Sequence, residues 1–184
     1  LKEYHEVFSG NVIAQNLLKG VGFLSREDAI NYGVTGPSGR GSGWACDVRK
    51  RSPYAAYDKV QFDEVLYNEG DSYARYMVRM KEIEQSLHIL EQLVDNIPEG
   101  DYLAKTKPII KVPEGRYFKE VEAARGAFGI YLESRGDKFP YRLKVNSPGF
   151  NLVGAVDHMT RGSKIADLIA IGGSLDYVVP DIDR

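Results

Sequence analysis

From Tyr73 onward, apolar side chains fall at Tyr73, Tyr76, Met77, Met80, Ile83, Leu87, Leu90 and Val94. This three-and-four spacing aligns them along one stripe of an α-helix. Asp71 or Ser72 stands ahead of the stripe as a cap, and Pro98 with Gly100 follows as a stop. The spacing therefore predicts one helix of about six turns. The opposite stripe carries Arg75, Arg79, Glu82, Gln85 and Gln92, so one side of the rod should pack while the other meets water or a partner chain. Whatever this chain folds into must be organised around that helix. At 184 residues a single compact unit is expected beside it.

Other segments read less regularly. Two short helices are predicted near Lys2 to Phe8 and Ser25 to Tyr32, the second with Ser25 as N-cap and Asp28 three places on, close to a capping box. Gly33, Gly36, Gly39, Gly41 and Gly43 follow within eleven residues, a composition that propagates neither helix nor strand well. Cys46 to Asp63 reads as irregular and surface-following. Later, Phe128, Ile130 and Leu132, then Tyr141, Leu143 and Val145, alternate with polar or small residues. That period of two is the mark of strands, and Ser134 to Lys138 supplies the turn of a β-hairpin. A hairpin alone is marginal in water and needs a helix or a third strand behind it. Leu152 to Met159 and Ser163 to Ile171 read as short helices, the second ending at Gly172-Gly173. The segment from Gly173 to Arg184, apolar in its middle, is expected to dock as a strand on its own domain. The fold class is α+β.

Composition removes several functions. With 24 Lys+Arg against 26 Asp+Glu the net charge is −2, so nucleic acid is excluded as a partner by the lack of a basic surplus. The stretch from Ile165 to Gly173 is broken by Asp167 and falls short of the roughly 20 residues of a membrane span. One cysteine, Cys46, excludes an internal disulfide and a thiolate cluster built by this chain alone, and suggests a reducing compartment. Its neighbour Asp47 opposes thiolate formation. His5, His88 and His158 are too dispersed for a local metal motif, and His88 reads as a half-buried packing residue, so no metal is proposed. Gly36 and Gly41 have P-loop spacing, but Ser42 stands where the phosphate-binding lysine is needed, and no buried strand precedes them as a dinucleotide fold requires. Close chain packing is the expected use of these glycines. The opening Leu1 to Val7 has neither the apolar stretch nor the cleavage site of a signal peptide, and the chain is expected to be a piece of something longer.

Taken together, the motifs resemble one family. Asn31-Tyr32-Gly33-Val34-Thr35-Gly36-Pro37, Arg40-Gly41-Ser42-Gly43, Asp47-Val48-Arg49 and Pro53-Tyr54-Ala55-Ala56-Tyr57-Asp58 look like the quinone-site D subunit, of 49-kDa type, of the proton-pumping NADH:quinone oxidoreductase, respiratory complex I. Gly70 to Tyr76, Gly126 to Leu132, Pro148-Gly149-Phe150, Gly173 to Val178 and the closing Asp183-Arg184 continue the likeness in order. It departs at Ala124 to Ala127, at Val179 to Asp181, and at Leu17, where relatives more often carry an arginine.

The resemblance implies that residues 1–184 are the C-terminal half of a longer subunit, one incomplete domain. Its fold would be part of a nickel–iron-hydrogenase-large-subunit-like architecture: a long core helix, a β-hairpin and short C-terminal helices. It implies quinone as substrate, with Asp176 and Val178 lining the quinone pocket, and Arg125 close to the terminal iron–sulfur cluster of a partner subunit. A cation there tunes the cluster's potential. Headgroup ligands belong to the other half, so no catalytic residue is expected here. The chain itself would bind no cofactor, NADH being held by another subunit. Partners would be the iron–sulfur subunits and the membrane arm, at the cytoplasmic face of a bacterial inner membrane. Two rivals stand beside this reading: a hydrogenase-like metalloenzyme, which needs paired C-x-x-C motifs, and a cofactor-free scaffold joining neighbouring subunits. Without the other half, exposed apolar surface is expected, with self-association or partial disorder as its result.

Overall fold

A computed structural model describes residues 1–106 and 108–183; Arg184, part of the closing motif, lies outside them. Helix α1 (Lys2–Tyr4) runs directly into a π-helical turn at His5–Ser9. Then come α2 (Val12–Leu18), α3 (Arg26–Tyr32), α4 (Gly36–Arg40) and α5 (Val48–Arg51). Helix α3 starts where expected: the Asp28 amide donates to Ser25 Oγ at 3.0 Å. Helix α4 corrects the expectation of no regular structure in the glycine run. Pro37 at its first turn presets the backbone, and the glycines are there for space. A Cβ at Gly36, where φ is +69°, would lie 2.5 Å from the Gly126 backbone, and one at Gly39 would lie 2.3 Å from the Val34 carbonyl.

The long helix α6 (Ser72–Leu93) has 22 residues and is capped by Asp71, whose Oδ1 accepts from the Ala74 amide at 2.7 Å. It yields to a 3₁₀ turn at Val94–Asn96, ahead of Pro98. Its faces follow the predicted stripe over the first turns, where Tyr73, Tyr76 and Met77 are half-buried and Met80 is buried, and depart from it beyond. The buried residues are Ser72, Ala74, Arg75, Val78, Met80 and Ile89, while Ile83, Leu87, Leu90 and Val94 are 45–61% exposed. Over its first turns the neighbouring chain approaches closely. A Cβ at Gly41 would lie 3.0 to 3.3 Å from Arg75 atoms, and one at Gly22 would meet Arg75 and Ser72, so the contacted face of α6 needs small or slender side chains. Arg75, read as part of the outward stripe, is wholly buried. His88 is exposed and close to Glu91, not a packing residue.

A three-stranded antiparallel sheet follows: β1 (Gly115–Ala123), β2 (Gly126–Ser134) and β3 (Arg142–Asn146), in that order. The expected hairpin is β2–β3, with Ile130 opposite Val145 and Leu132 opposite Leu143. Its required support is β1, a strand without an apolar alternation, since most of its residues are exposed or half-buried. Helix α7 (Pro148–Thr160) begins earlier than predicted because Ser147 caps it, its Oγ accepting from the Gly149 amide. Helix α8 (Asp167–Leu175) runs through Gly172-Gly173 and stops at Asp176. The tail then docks as a 3₁₀ turn, Val179–Asp181, rather than as a strand. A Cβ on Gly149 would lie 3.2 Å from Asp181 Cβ, so the missing side chain at the start of α7 is what admits the turn.

The main core joins Leu24, Ala29 and Val34 to Leu152, Ala155 and Met159 of α7 and to Ile171 and Leu175 of α8, with Trp44 and Tyr177 packed against it. Full burial of each large aliphatic side chain stabilises by roughly 1.5–3 kcal/mol. A smaller cluster of Val60, Phe62 and Ile89 covers only part of the C-terminal half of α6. No helix among the described residues is long and apolar enough to cross a membrane.

Candidate functional site

Where α4, α5, α6, the β1–β2 turn and the end of α8 converge, they enclose a cleft of about 330 Å³. Pro37, Arg40, Arg49, Arg79, Glu82, Glu122 and Asp176 are among its lining residues. At its floor the Arg40 guanidinium, 1% exposed, donates to Glu82 Oε1 at 2.6 Å and to Glu122 Oε1 at 2.7 Å, with Asp47 4.0 Å away. These acids come from α6, from β1 and from the cap of α5, so one cation ties three elements together.

The other oxygens of Glu122 and Asp47 have partners as well. Glu122 Oε2 accepts from the Val48 amide at 3.0 Å, and the Asp47 carboxylate takes a fork from Arg49 with a closest distance of 2.6 Å. The Asp47 amide in turn donates to Glu64 at 2.9 Å. Tyr54 brackets the strand, its hydroxyl oxygen accepting from the Glu122 amide at 3.1 Å.

Charge settles the protonation states. Burial alone would pull the Arg40 guanidinium down, but Glu82, Glu122 and Asp47 outweigh it and raise it. Burial would likewise raise the Asp47 carboxyl, yet Arg49 and Arg40 hold it below its ordinary 3.8. Glu122 goes the other way. Burial raises it and Arg40, shared among three acids, offsets this only in part. Cys46, wholly buried beside this network, has its thiol pushed up to about 12 by burial. It is neither nucleophile nor metal ligand near neutral pH.

On the cleft's other wall, Asp176 closes α8 in the left-handed conformation, φ +56° and ψ +38°. Arg125, in the β1–β2 turn, donates from Nε to the Asp176 carbonyl at 2.6 Å and from Nη2 to Asp176 Oδ1 at 3.4 Å. Arg79 reaches the same helix end from α6, its Nη2 donating to the Leu175 carbonyl at 3.4 Å while Nη1 donates to the Arg75 carbonyl at 3.1 Å. Burial lowers the Arg79 guanidinium, with Asp176 and Glu82 offsetting part of that.

The structure thus brings together two of the three expected site residues, Asp176 and Arg125, which the sequence had suggested for two different environments. Val178 stands apart. It is half-buried at the start of the closing 3₁₀ turn and outside the cleft lining, with Tyr177 between it and Asp176 packed into the core. Sequence reasoning did not assign Arg40, Glu82, Glu122 or Arg79 to a site. Arg40 lies 42 residues from Glu82 and 82 from Glu122, so no local spacing signals the network.

No group of three or more His, Cys, Asp or Glu that could hold a metal ion occurs among the described residues. Next to the charged cleft, and sharing Arg49, Tyr57 and Ser86 with it, an apolar groove of about 380 Å³ runs between Ala55–Val60 and the Ile89–Leu93 part of α6.

Comparison with known proteins agrees with the motif order. A model of the family described as "Respiratory-chain NADH dehydrogenase, 49 Kd subunit" matches residues 1–110 and 104–184. The C/D subunit of an NADH-quinone oxidoreductase from Phocaeicola vulgatus is 69% identical over the whole of this chain, which covers 36% of that relative. The D subunits of the NADH-quinone oxidoreductases of Desulfotalea psychrophila and Bacillus cereus are 52% and 45% identical, each matched over all of this chain and over 50% of their own length. The chain therefore spans between about a third and a half of the curated relatives it matches.

Proposed function

Because the chain belongs to the family of the respiratory-chain NADH dehydrogenase 49 kDa subunit, we propose that it forms the C-terminal part of such a subunit and one wall of a quinone-reduction site. The observation that carries this reading is the left-handed end of α8, where Arg79 and Arg125 surround Asp176 at the rim of a charged cleft. A carboxylate paired with Arg125, on a helix end whose preceding carbonyl Arg79 holds, is a fixed polar point against which a headgroup carbonyl or hydroxyl can be oriented.

Electrons would arrive from the iron–sulfur cluster of a partner subunit, with NADH oxidised on another chain and quinone reduction coupled to proton translocation through a membrane arm. Such a complex would lie against the cytoplasmic face of a bacterial inner membrane. This chain's own residues do not fit a cluster: its single thiol is buried, protonated and within 3.9 Å of the Gly36 carbonyl. Its contribution is shape and charge. The wider hydrogenase-like architecture belongs to the same proposal.

A second reading, a cofactor-free scaffold, is favoured by the exposed Ile83, Leu87 and Leu90 on α6 and Val94 just after it, an apolar row suited to a neighbouring helix. Photo-crosslinking the intact, membrane-extracted complex with an azido-quinone separates the two. Labelling at Asp176 to Val178 supports the quinone wall. An active complex labelled elsewhere supports the scaffold.

A further inference from the structure

We propose that Arg125 and Arg79 are positioning residues: a two-arginine clamp on the carbonyl end of α8 that fixes the direction in which Asp176 presents its carboxylate. This rests on the quinone-wall reading above and adds to it the groups that set its geometry.

The argument begins with the backbone. Asp176 and Ala55 are the two non-glycine residues with positive φ in the described chain, a left-handed conformation that glycine adopts freely and aspartate only occasionally. Helices often end this way on glycine. Here an aspartate occupies the position although α8 has glycines at Gly172 and Gly173. A side chain retained at a strained cap has to be held, and the holding groups are present. Arg125 grips both the main-chain carbonyl and the carboxylate of Asp176, and Arg79 takes the carbonyl one residue earlier. Both cations meet the negative end of the helix dipole.

The two come from independent elements. One stands on the rigid core helix α6, and the other on the tight β1–β2 turn between Ala123 and Gly126, which pair across it. Gly126 is pressed against Thr35 and Gly36, and the Ala127 amide donates to Thr35 Oγ1 at 2.9 Å. The turn that carries Arg125 is thereby fixed to the start of α4. Displacing Arg125 frees the Asp176 carboxylate, whose side chain is 45% exposed, to swing toward solvent, and displacing Arg79 releases the Leu175 carbonyl that anchors the helix end just before it.

The test uses the intact complex in native membranes, with NADH oxidation followed using decylubiquinone and 2-methyl-1,4-naphthoquinone in parallel, and with ferricyanide as an acceptor that bypasses the quinone site. Arg125→Gln and Arg79→Gln are expected to raise the quinone KM about tenfold, with kcat changed less than twofold and ferricyanide activity unchanged. Arg125→Lys, which keeps the charge but not the fork, should recover part of the KM. Asp176→Asn should match Arg125→Gln, and the double variant should be no worse than either single one.

A normal quinone KM in Arg125→Gln beside a raised one in Asp176→Asn overturns the clamp and leaves the quinone wall standing. Normal quinone kinetics in an assembled Asp176→Asn complex overturns the wall itself. If both Arg125→Gln and Arg125→Lys fail to assemble while Asp176→Asn assembles, the arginine serves folding and the clamp is likewise overturned.

Discussion

Two arginines vanish from solvent in this molecule, and they do so in opposite ways. Arg40 sits in a ring of carboxylates drawn from α5, α6 and β1. Arg75, 0% exposed, has no carboxylate within ion-pair distance among the described residues. Its fork donates to the carbonyls of Gly70 and Gly22 and to the hydroxyls of Ser72 and Ser174, all at 2.9–3.0 Å. At Arg40 the charge itself is used, compensated by acids that are stranded without it. At Arg75 the geometry of five planar donors is used and the charge is a burden: burial, with Arg79 nearby, lowers its guanidinium to about 9. One arginine is a counterion and the other a hub for backbone oxygens.

The sharpest way to break that contrast is to remove each cation in turn. Arg40→Met should cost about 3–5 kcal/mol, because it leaves Glu82 and Glu122 without their shared cation in a buried site, while Asp47 keeps its fork from Arg49. Adding Glu122→Gln should return part of the loss. Arg75→Met should cost less, about 1–3 kcal/mol, since the carbonyls it uncovers are neutral. Urea unfolding of all three variants ranks them, and an Arg75 loss equal to that of Arg40 would erase the distinction.

Acid sharpens the contrast further. Asp47 is held below 3.8 in the folded chain, so its stabilisation is present above that pH and is lost as pH falls through the folded value. Asp47→Asn should therefore flatten the acid limb of the stability profile, whereas Arg75→Met should leave its slope alone.

Cys46 reports on the Arg40 side from within. With the thiol moved from 9.0 to about 12, the native chain should resist iodoacetamide near neutral pH and react once unfolded in urea. The stability gained by burying the neutral thiol is complete below pH 9 and is lost as pH rises toward 12. The smallest effect belongs to a pair outside both regions. Arg161→Ala breaks an exposed contact with Asp157 and should leave the urea midpoint unmoved.

The same contrast explains what was legible in the sequence. Local chemistry was readable: the caps at Ser25 and Asp71, the extent of α6 and the β2–β3 pairing each depend on residues a few places apart. The resemblance singled out Asp176 and Arg125 as candidates, but gave no sign of their contact with each other. What escaped depends on partners distant in the chain. The burial of Arg75 escaped because the glycines it packs against, at 22 and 41, lie far back in the chain, and the later part of the apolar row, Ile83 to Val94, is exposed because only the small Val60, Phe62 and Ile89 cluster covers that end of α6. Strand β1 escaped because its ladder to β2 needs no apolar alternation of its own. Glu82 and Glu122 carried no sign of sharing one cation.

The Arg75 hub also bears on synthesis. Its acceptors lie at Gly22 and Gly70, already translated when the arginine is added, and at Ser174, 99 residues later. Through the making of those 99 residues a nascent chain on the ribosome holds a guanidinium whose final enclosure by α8 does not yet exist. Water must occupy the place of Ser174 until then. The α6 region can form its local bonds early, but the enclosure of Arg75 is complete only when Ser174 of α8 arrives.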